Sequence, residues 1–417
     1  MADFAAVVGI DWSDRKHDIC LVAADSDRKE FCVLEHSPEA INEWAAALRA
    51  RFSGRPVALC LEQSRGPLIF ALLKYDFLVL YPVHPTTLAK YREAFSPSRA
   101  KDDPTDAEYA AELVLRHRDR LTPWLPDDEK TRTLRYLVEY RRRLVSDRTR
   151  ISNRMTALLK AYFPQILAWF PDICTHIVCD FLTRWPTLDA LAGVRASTLT
   201  AFFSRHNCRR PDTVERRIDA IRHALPLTTD AAVLRSSRTV IGVLVAQMRV
   251  LIDAVAELDR EIDTLYREHP DAPLFDALPG AGPVYASRLL AAIGTRRDRY
   301  ASADELACFS GVAPVTERSG TKCRVRWRYF CPTFVRQAFV EYAGESIRHS
   351  FWAGAYYARQ RERGKSHQAA VRALAYKWIR IIWKCWQTRT PYSEVVYLES
   401  LRRKQSPLLA FAATSTH

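Results

Sequence analysis

Residues 7–23 have the sequence VVGIDWSDRKHDICLVA, and this stretch decides the fold of the first part of the chain. An apolar, largely β-branched run at residues 7–10 ends at Asp11, a polar turn follows, and a second apolar run covers residues 19–22. This pattern predicts a β-hairpin whose first strand is buried inside a sheet. A carboxylate at the inner end of such a strand is costly unless it is paired or holds a cation. The stretch alone leaves a salt bridge and a metal ligand equally open for Asp11.

The following residues predict the rest of an α/β sheet. Apolar runs predict strands at residues 31–36, 56–61 and 77–83, and helical spacing predicts helices at residues 38–51 and 68–74. The order β-β-β-α-β-α-β followed by helices is typical of an RNase H-like sheet, which we expect over residues 1–126. The strand at residues 56–61 is followed by Glu62, a second carboxylate at a strand end.

Residues 99–115 have the sequence RAKDDPTDAEYAAELVL and predict another helix. Asp103 followed by Pro104 is a strong helix start, because Asp caps the first turn and Pro fits it. Asp106 lies three residues further on and shares one face of that turn with Asp103. Acids in a first turn also stabilise the helix dipole by about 0.3–1 kcal/mol each. Taken alone, this motif indicates capping more often than catalysis.

The four carboxylates are predicted to converge at one end of the sheet: Asp11, Glu62, Asp103 and Asp106. Without nearby bases they repel one another unless they bind a divalent cation. Carboxylate oxygens suit Mg²⁺ or Mn²⁺, and two such ions can stabilise the oxygens of phosphoryl transfer. The combination therefore predicts a Mg²⁺ (or Mn²⁺) site with phosphoryl-transfer chemistry.

Positive charge is concentrated at the carboxyl end. The net charge is +14, and from Arg318 onward 19 Lys and Arg face 5 Asp and Glu, so that the first 317 residues are neutral. A basic carboxyl end indicates binding to a polyanion. Ten cysteines without a CxxC pair, no signal peptide and no apolar run of membrane-spanning length indicate a cytoplasmic protein without a membrane partner.

Residues 127–270 have the spacing of long paired helices. Apolar residues three and four apart recur at residues 134–158 and again at residues 241–265, which predicts coiled-coil helices within one chain or between subunits. Arg141 and Arg148 interrupt the first series; they either set the register, which we prefer, or mark where the helix leaves the seam to bind a polyanion. An inserted subdomain is expected between the helices, at about residues 163–230. Its Cys and His residues match no common zinc spacing, so we expect buried cysteines and surface histidines.

The carboxyl-terminal domain, residues 271–417, is expected to be mostly helical with one small β-hairpin. Its first motif is LPGAGPVYASRLLAAIG at residues 278–294. Gly280 and Gly282 form a turn that offers backbone N–H groups to a phosphate, or that simply joins two packed helices.

Two basic surfaces are predicted in this domain. Cationic residues alternate with apolar ones in a strand with one cationic face, formed by Lys322, Arg324, Arg326 and Arg328. Four like charges repel one another, and a phosphate backbone relieves that repulsion. A later helix carries a second basic face, formed by Lys377, Arg380 and Lys384. Both surfaces are therefore expected to bind nucleic acid.

Ser319-Gly320 forms the turn that precedes the cationic strand. A serine hydroxyl at this place could attack a phosphodiester, with the guanidinium groups stabilising the charge that develops. The dipeptide alone is explained as well by an ordinary hairpin turn.

The acidic motifs resemble those of transposases of insertion-sequence family 110. Asp11 in GIDWS, Glu62 in LEQS and the spacing Lys101-x-Asp103-x-x-Asp106 resemble the DEDD tetrad of that family's RuvC-like domain. This spacing selects Asp103 over its neighbour Asp102 as the third acid. The resemblance covers about the first 120 residues, the helical connection and residues 275 to about 345.

The carboxyl-terminal motifs resemble the same family. PGAG at residues 279–282, GVAP at residues 311–314 and Ser319-Gly320 resemble its PGxG, GLxP and serine-containing motifs. The departures are Ala281 and Val312. The resemblance implies that Ser319 is the nucleophile that links the protein covalently to DNA while the four acids hold the metal.

The resemblance further implies a bacterial, nucleoid-associated DNA recombinase that moves its own element, guided by a structured non-coding bridge RNA. It implies a homo-oligomer, a dimer or a tetramer, with the active site shared between subunits. Two alternatives remain open. One is a RuvC-like, metal-dependent junction-resolving nuclease that needs no serine, and the other is a non-catalytic RNA-binding scaffold. The nuclease explains the acids but gives the basic serine-containing domain no role.

Overall fold

The computed structural model of the chain describes residues 4–62, 66–95, 103–208 and 210–409. The chain forms two compact units, Met1–Pro126 and Asp127–His417, each with its own hydrophobic core. Lys101 and Asp102, both part of the acidic motif, lie outside the described residues. The choice between Asp102 and Asp103 is therefore a prediction from the sequence.

The first unit is a five-stranded sheet with helices on both faces. The predicted order of strands and helices is the observed one: β1 (Ala6–Trp12), β2 (Lys16–Ala23), β3 (Lys29–Glu35), α1 (Pro38–Arg51), β4 (Val57–Leu61), α2 (Pro67–Leu72), β5 (Leu78–Pro82), α3 (Pro85–Phe95) and α4 (Asp103–His117). The strand order across the sheet is β3-β2-β1-β4-β5. β2 pairs antiparallel with β1 and β3, whereas β4 pairs parallel with β1 and β5.

Both faces of the central strands are covered, which explains why the strands are almost continuously apolar. Alternate residues of β1 such as Val8 and Ile10 pack under α1 and α2, and the intervening Val7 packs on the side of α4. Gly9 lies directly beneath α4: a Cβ there would come within 2.0 Å of the Ala107 carbonyl oxygen. The helix rests on the sheet backbone at this point.

We expect Gly9→Ala to destabilise the protein by about 1–3 kcal/mol, because the added methyl group forces α4 off the sheet. Urea or thermal unfolding measures the change. Gly344→Ala is the matched control, since a Cβ at that helical position meets only Val371, at 3.8 Å. Removing a glycine from a helix should leave stability unchanged or raise it by up to about 1 kcal/mol. Equal stability of the two variants would contradict the close contact.

The second unit is mostly helical. Its elements are α5 (Glu129–Tyr162), α6 (Gln165–Trp169), α7 (His176–Arg184), α8 (Ala196–Arg205), α9 (Pro211–Arg222), α10 (Ala231–Arg267), α11 (Ala272–Asp276), α12 (Gly282–Ile293), α13 (Ala303–Phe309), β6 (Val315–Ser319), β7 (Lys322–Arg326), α14 (Thr333–Ser346), α15 (Phe351–Glu362), α16 (His367–Thr388) and α17 (Glu394–Arg403). The long helices α5 and α10 pack against each other within the chain. Arg141 of α5 forms a salt bridge with Asp259 of α10, which is the kind of contact that fixes the register of a helix pair.

Helices α6 to α9 form the inserted subdomain on one end of that helix pair. Their aromatic core includes Phe181 and Phe203, both fully buried. The three histidines of the region each lie near a carboxylate: His176 is 3.1 Å from Asp253, His206 is 3.2 Å from Asp180, and His223 is 3.2 Å from Asp219. The His176–Asp253 contact therefore links the subdomain to α10, and the His206–Asp180 contact links the end of α8 to α7 within it.

The expectation that no apolar run reaches membrane-spanning length was wrong. α10 is long and apolar enough to cross a membrane, by length and composition alone. The longest apolar run is not at residues 378–386 but at residues 239–252, where Arg249 is the one charged residue. A single helix of this kind is weak support for a membrane span, because the core helix of a soluble protein passes the same test.

Candidate active site

Asp11 lies near the carboxyl end of β1, and Glu62 directly follows β4, its parallel neighbour, at the same edge of the sheet. β1 and β4 are paired up to the residue before each acid, so the two positions lie side by side. Alternation places both on the face that α4 covers, because Gly9 and Cys60 lie on that face. The strand register therefore brings two of the predicted acids together.

α4 begins at this same edge. Near its start Ala107 contacts Gly9, and directly after its end the guanidinium carbon of Arg118 lies 5.3 Å from the centre of the Phe4 ring, just before β1. The helix therefore runs antiparallel to β1, and its first turn lies at the strand end that carries Asp11. Asp103 and Asp106 are the acids of that turn, as the sequence predicts.

The two acids of α4 differ in burial and partner. Asp103 is exposed, whereas Asp106 is only 3% exposed. Arg92 of α3 donates from Nη1 to both carboxylate oxygens of Asp106, at 2.7 Å to Oδ2. This hydrogen bond raises the pKa of Arg92 above its ordinary value, and the charges of Asp106 and Glu62 act in the same direction. The expectation that no basic residue lies near the four acids was therefore wrong, because Arg92 contacts Asp106.

The four acids do not form a ready-made metal site. Among the residues that the structure describes, no group of three or more His, Cys, Asp or Glu side chains is arranged to hold a metal ion. The donor chemistry nevertheless fits, because the acids offer only oxygen ligands and share one edge of the sheet. Arg92 supplies the positive charge that buried Asp106 requires. A cation could use Asp106 only if that carboxylate exchanged Arg92 for the metal.

We expect Arg92→Met to destabilise the metal-free protein by about 3–5 kcal/mol, because it leaves Asp106 charged and buried. Unfolding in EDTA measures this loss. Mg²⁺ should then stabilise the variant more than the parent protein, since a cation replaces the missing guanidinium. Arg49→Met is the control: its salt bridge with Asp76 is exposed, and its loss should cost at most about 1 kcal/mol. Equal losses in the two variants would show that the Arg92 salt bridge does not compensate a buried charge.

Asp18 is a carboxylate that the sequence analysis did not single out. It pairs directly with Asp11 across β1 and β2, lies on the α4 face with Cys20, and is only 9% exposed. Like charges directly opposite each other destabilise a sheet, so this position favours a compensating cation. The signal was present in the hairpin, because Asp11 and Asp18 are equally distant from the centre of its turn.

Ser319 ends β6 in a two-residue hairpin turn. Gly320 follows with a φ of 58°, as a type II′ turn requires at its first central position. Ser319 is paired with Lys322, and Glu317 with Arg324. Paired residues project from the same face, so exposed Ser319 shares its face with three cations, Lys322, Arg324 and Arg326.

The predicted position of Arg328 on this face was wrong. β7 ends at Arg326, and Arg328 lies in the following loop with its Nη2 atom 3.8 Å from the Cys308 sulfur. Directly after the strand, Trp327 packs on Arg336, whose guanidinium carbon lies 5.5 Å from the ring centre. An acid also lies on the cationic face: Glu317 forms a salt bridge of 3.1 Å with Arg326.

The glycine turn leads into α12, as predicted. Gly280 and Gly282 have φ values of 73° and 51°. A Cβ at Gly280 would come within 2.4 Å of the His349 ring, whereas nothing lies within 4 Å of one at Gly282. Gly280 is therefore required for packing, and Gly282 is the position whose surroundings leave space for a phosphate.

The basic face of α16 is smaller than the sequence suggested. Arg380 and Lys384 are exposed. Lys377 is half-buried, with its ammonium group 4.9 Å from the centre of the Tyr356 ring. Burial lowers the pKa of Lys377, and the charges of Arg380 and Arg359 lower it further. Lys377 is engaged in packing, which leaves two exposed cations on this face.

Two family models match the chain. A transposase domain of the DEDD type, from IS110, covers residues 8–164, a range that includes all four predicted acids. A second model, described as "Transposase IS116/IS110/IS902 family", covers residues 272–358, a range that includes Ser319. The first match covers the sheet edge that carries the four predicted acids, here called the acidic edge. The second covers the β6–β7 hairpin that carries Ser319 and the three cations on its face.

Several curated proteins are similar over nearly the whole length. A mini-circle protein of Streptomyces coelicolor, whose name proposes it as the transposase for IS117, is 28% identical over 97% of this chain and 98% of its own. The uncharacterized 42 kDa protein of insertion element IS900 from Mycobacterium paratuberculosis is 27% identical over 90% of this chain and 94% of its own. The uncharacterized 44.8 kDa protein of IS116 from Streptomyces clavuligerus is 27% identical, over 90% and 93%.

An acidic α/β unit followed by a basic helical unit, each matched by a transposase domain, defines a transposase of an insertion sequence. The chain belongs to the IS110 family of these proteins. Transposases act on DNA, and the DEDD type implies the use of a divalent metal ion.

Proposed function

We propose that this transposase cuts and rejoins DNA through a covalent phosphoserine intermediate formed by Ser319. One observation carries the proposal: the Ser319 hydroxyl is exposed on the hairpin face that also carries Lys322, Arg324 and Arg326. A phosphodiester bound on this face is attracted by three cations, which outweigh the one acid there, Glu317. The same cations stabilise the negative charge that develops on the phosphoryl oxygens during attack.

The chemistry needs two transfers. In the first, Ser319 Oγ loses its proton and forms a bond to phosphorus, while the bond to one deoxyribose oxygen breaks and that oxygen takes up a proton. In the second, a deoxyribose hydroxyl of another DNA end attacks the phosphoserine and releases Ser319. The number of phosphodiester bonds is unchanged, so no external energy source is required.

We also propose that the first unit is an RNase H-like, RuvC-like domain that holds Mg²⁺ (or Mn²⁺). The strand order, the parallel strand ends and the all-oxygen donor set support this assignment. The proposed ligands are Asp11, Glu62, Asp103 and Asp106. Asp11 lies on β1 and Glu62 directly follows β4, the strand paired with it, and Asp106 joins them when Arg92 releases it. A divalent cation there would supply Lewis-acid stabilisation of phosphoryl oxygens.

Four further features complete the proposal. A structured non-coding bridge RNA guides the enzyme to its DNA sites, which the strongly basic carboxyl end supports. Arg380 and Lys384 of α16, together with the turn at Gly282, offer further contacts to the phosphate backbone of the nucleic acid. The working form is a dimer or tetramer in which one subunit supplies the serine and another the acids. Such an enzyme works in the cytoplasm, associated with the nucleoid.

The test is the covalent adduct. We expect the protein, its guide RNA, Mg²⁺ and DNA carrying the element ends to yield a protein–DNA species that survives denaturation and maps to Ser319 by mass spectrometry. A junction-resolving nuclease would release free DNA ends without an adduct. An RNA-binding scaffold would give neither product, only RNA binding that falls steeply with salt.

A further inference from the structure

α10 carries a second line of apolar residues, on the side facing away from α5. This outer stripe runs three and four residues apart. It consists of four apolar residues, Val240, Val243, Val250 and Ala254, with the polar Gln247 at its centre. The inner series of the same helix, which includes Ile241, Leu244 and Met248, is buried. The three valines of the outer stripe are 43%, 55% and 67% exposed. A helix with two apolar seams, one of them exposed, has the pattern of a helix with a further helical partner.

The outer stripe is complementary to a reversed copy of itself. With Gln247 as the midpoint, an antiparallel pairing brings Val243 opposite Val250 and Val240 opposite Ala254. The central glutamines then face each other, where a polar pair inside an apolar seam fixes the register. This is the arrangement of an isologous contact, in which each residue meets its counterpart by two-fold symmetry.

Charge selects the same orientation. The exposed residues at the start of the stripe are basic, Arg235 and Arg238, and the exposed residues that continue its line at the far end are acidic, Glu257 and Glu261. An antiparallel pair places Arg238 of one copy beside Glu257 of the other, and does so twice. A parallel pair would place bases against bases and acids against acids. Within its own chain Glu257 contacts Arg260, in a pair exposed on both sides and therefore weak.

We propose that a second copy of this chain packs antiparallel along the outer stripe, forming a two-fold dimer centred on Gln247. The inference rests on the homo-oligomer proposed for transposition and names the surface that builds it. A lipid surface fits the stripe less well. The two arginines at one end and the two glutamates at the other flank the valines on the same side of the helix, so they would enter the membrane with them. In this dimer the exposed apolar residues of α10 are covered by the same residues of the second copy.

The test measures the mass of the full-length protein by light scattering after gel filtration, without nucleic acid. We expect a dimer for the parent protein and a monomer for Val243→Lys. Val395→Lys, at an exposed valine of α17 that is 66% accessible, is the matched control and should leave the dimer intact. A monomeric parent protein, or a Val243→Lys variant that remains dimeric, would overturn the proposal. So would vesicle binding that Val243→Lys abolishes without a change in mass.

A charge exchange tests the orientation. Arg238→Glu and Glu257→Arg should each weaken the dimer by about 10-fold, because each reversal creates two repulsive contacts. The double variant should recover the parent affinity. Mixed Val240→Cys and Ala254→Cys chains should cross-link to each other on oxidation, beyond the level of the parent protein. Cross-linking of each variant with itself would indicate a parallel pair and would overturn the proposal. Adduct formation at Ser319 is scored separately, so failure of the dimer and failure of the chemistry are distinguishable.

Discussion

Ser319→Ala is expected to abolish the covalent protein–DNA adduct and to lower strand exchange by about 10³-fold or more, because removing a nucleophile removes the whole covalent route. Binding of DNA and guide RNA should be unchanged, since alanine removes a neutral hydroxyl and leaves the cations of the hairpin in place. The measurement is a denaturing gel with labelled DNA, alongside a filter-binding titration at two salt concentrations.

Thr316→Ala is the matched control. Thr316 carries an exposed hydroxyl on the same hairpin, but it is paired with Val325 and projects from the opposite face. This variant should form the adduct at the parent rate. An adduct that persists in Ser319→Ala would remove the serine from the mechanism. Equal losses in both variants would mean that the hairpin, rather than the hydroxyl, is what the reaction needs.

The fold of the first unit could be predicted because its signals are local. Strands that are covered on both faces give unbroken apolar runs, and a hairpin with a short polar turn fixes its own register. The start of α4 at Asp103 was predictable for the same reason, since Asp followed by Pro satisfies the unpaired N–H groups of a first turn. Each of these features depends on residues close together in the chain.

The surroundings of the acids could not be predicted in the same way. Arg92 reaches Asp106 only through the angle at which α3 packs beside α4, and nothing in the sequence between them sets that angle. The departure of Arg328 from the cationic face depends on Trp327 and on Arg336 from a later helix. Asp18 is the exception: the hairpin pattern already placed it opposite Asp11.

The exposure of α10 is a similar case. Heptad spacing predicts that a seam exists, and α10 has two such seams on opposite sides. The inner series is the one that the sequence predicts more readily, because its residues are larger and more regular. Only burial distinguishes a seam that the chain covers itself from one that it leaves exposed, and burial is a property of the whole unit.

Asp11→Asn is expected to lower Mg²⁺-dependent DNA cleavage by about 10²-fold or more, because asparagine keeps the shape of the side chain but removes the charge that a divalent cation requires. Asp11 lies on β1, which is paired with β2 and β4 on its two sides. Its position is therefore fixed by the sheet, and a movement of α4 cannot bring another acid to the same place. The stabilisation of the protein by Mg²⁺, measured as the shift in unfolding temperature between EDTA and Mg²⁺, should fall with the cleavage rate.

Asp14→Asn is the control for Asp11→Asn. Asp14 lies in the exposed turn of the same hairpin, three residues away, and its change should affect neither cleavage nor the Mg²⁺-induced shift. Adduct formation at Ser319 without the Mg²⁺-induced shift would separate the serine chemistry from the metal. Full cleavage in Asp11→Asn would mean that the acids of the first unit serve as caps and ion pairs, as Asp106 does with Arg92. Loss of both cleavage and the shift in Asp11→Asn alone places the cation at the end of β1.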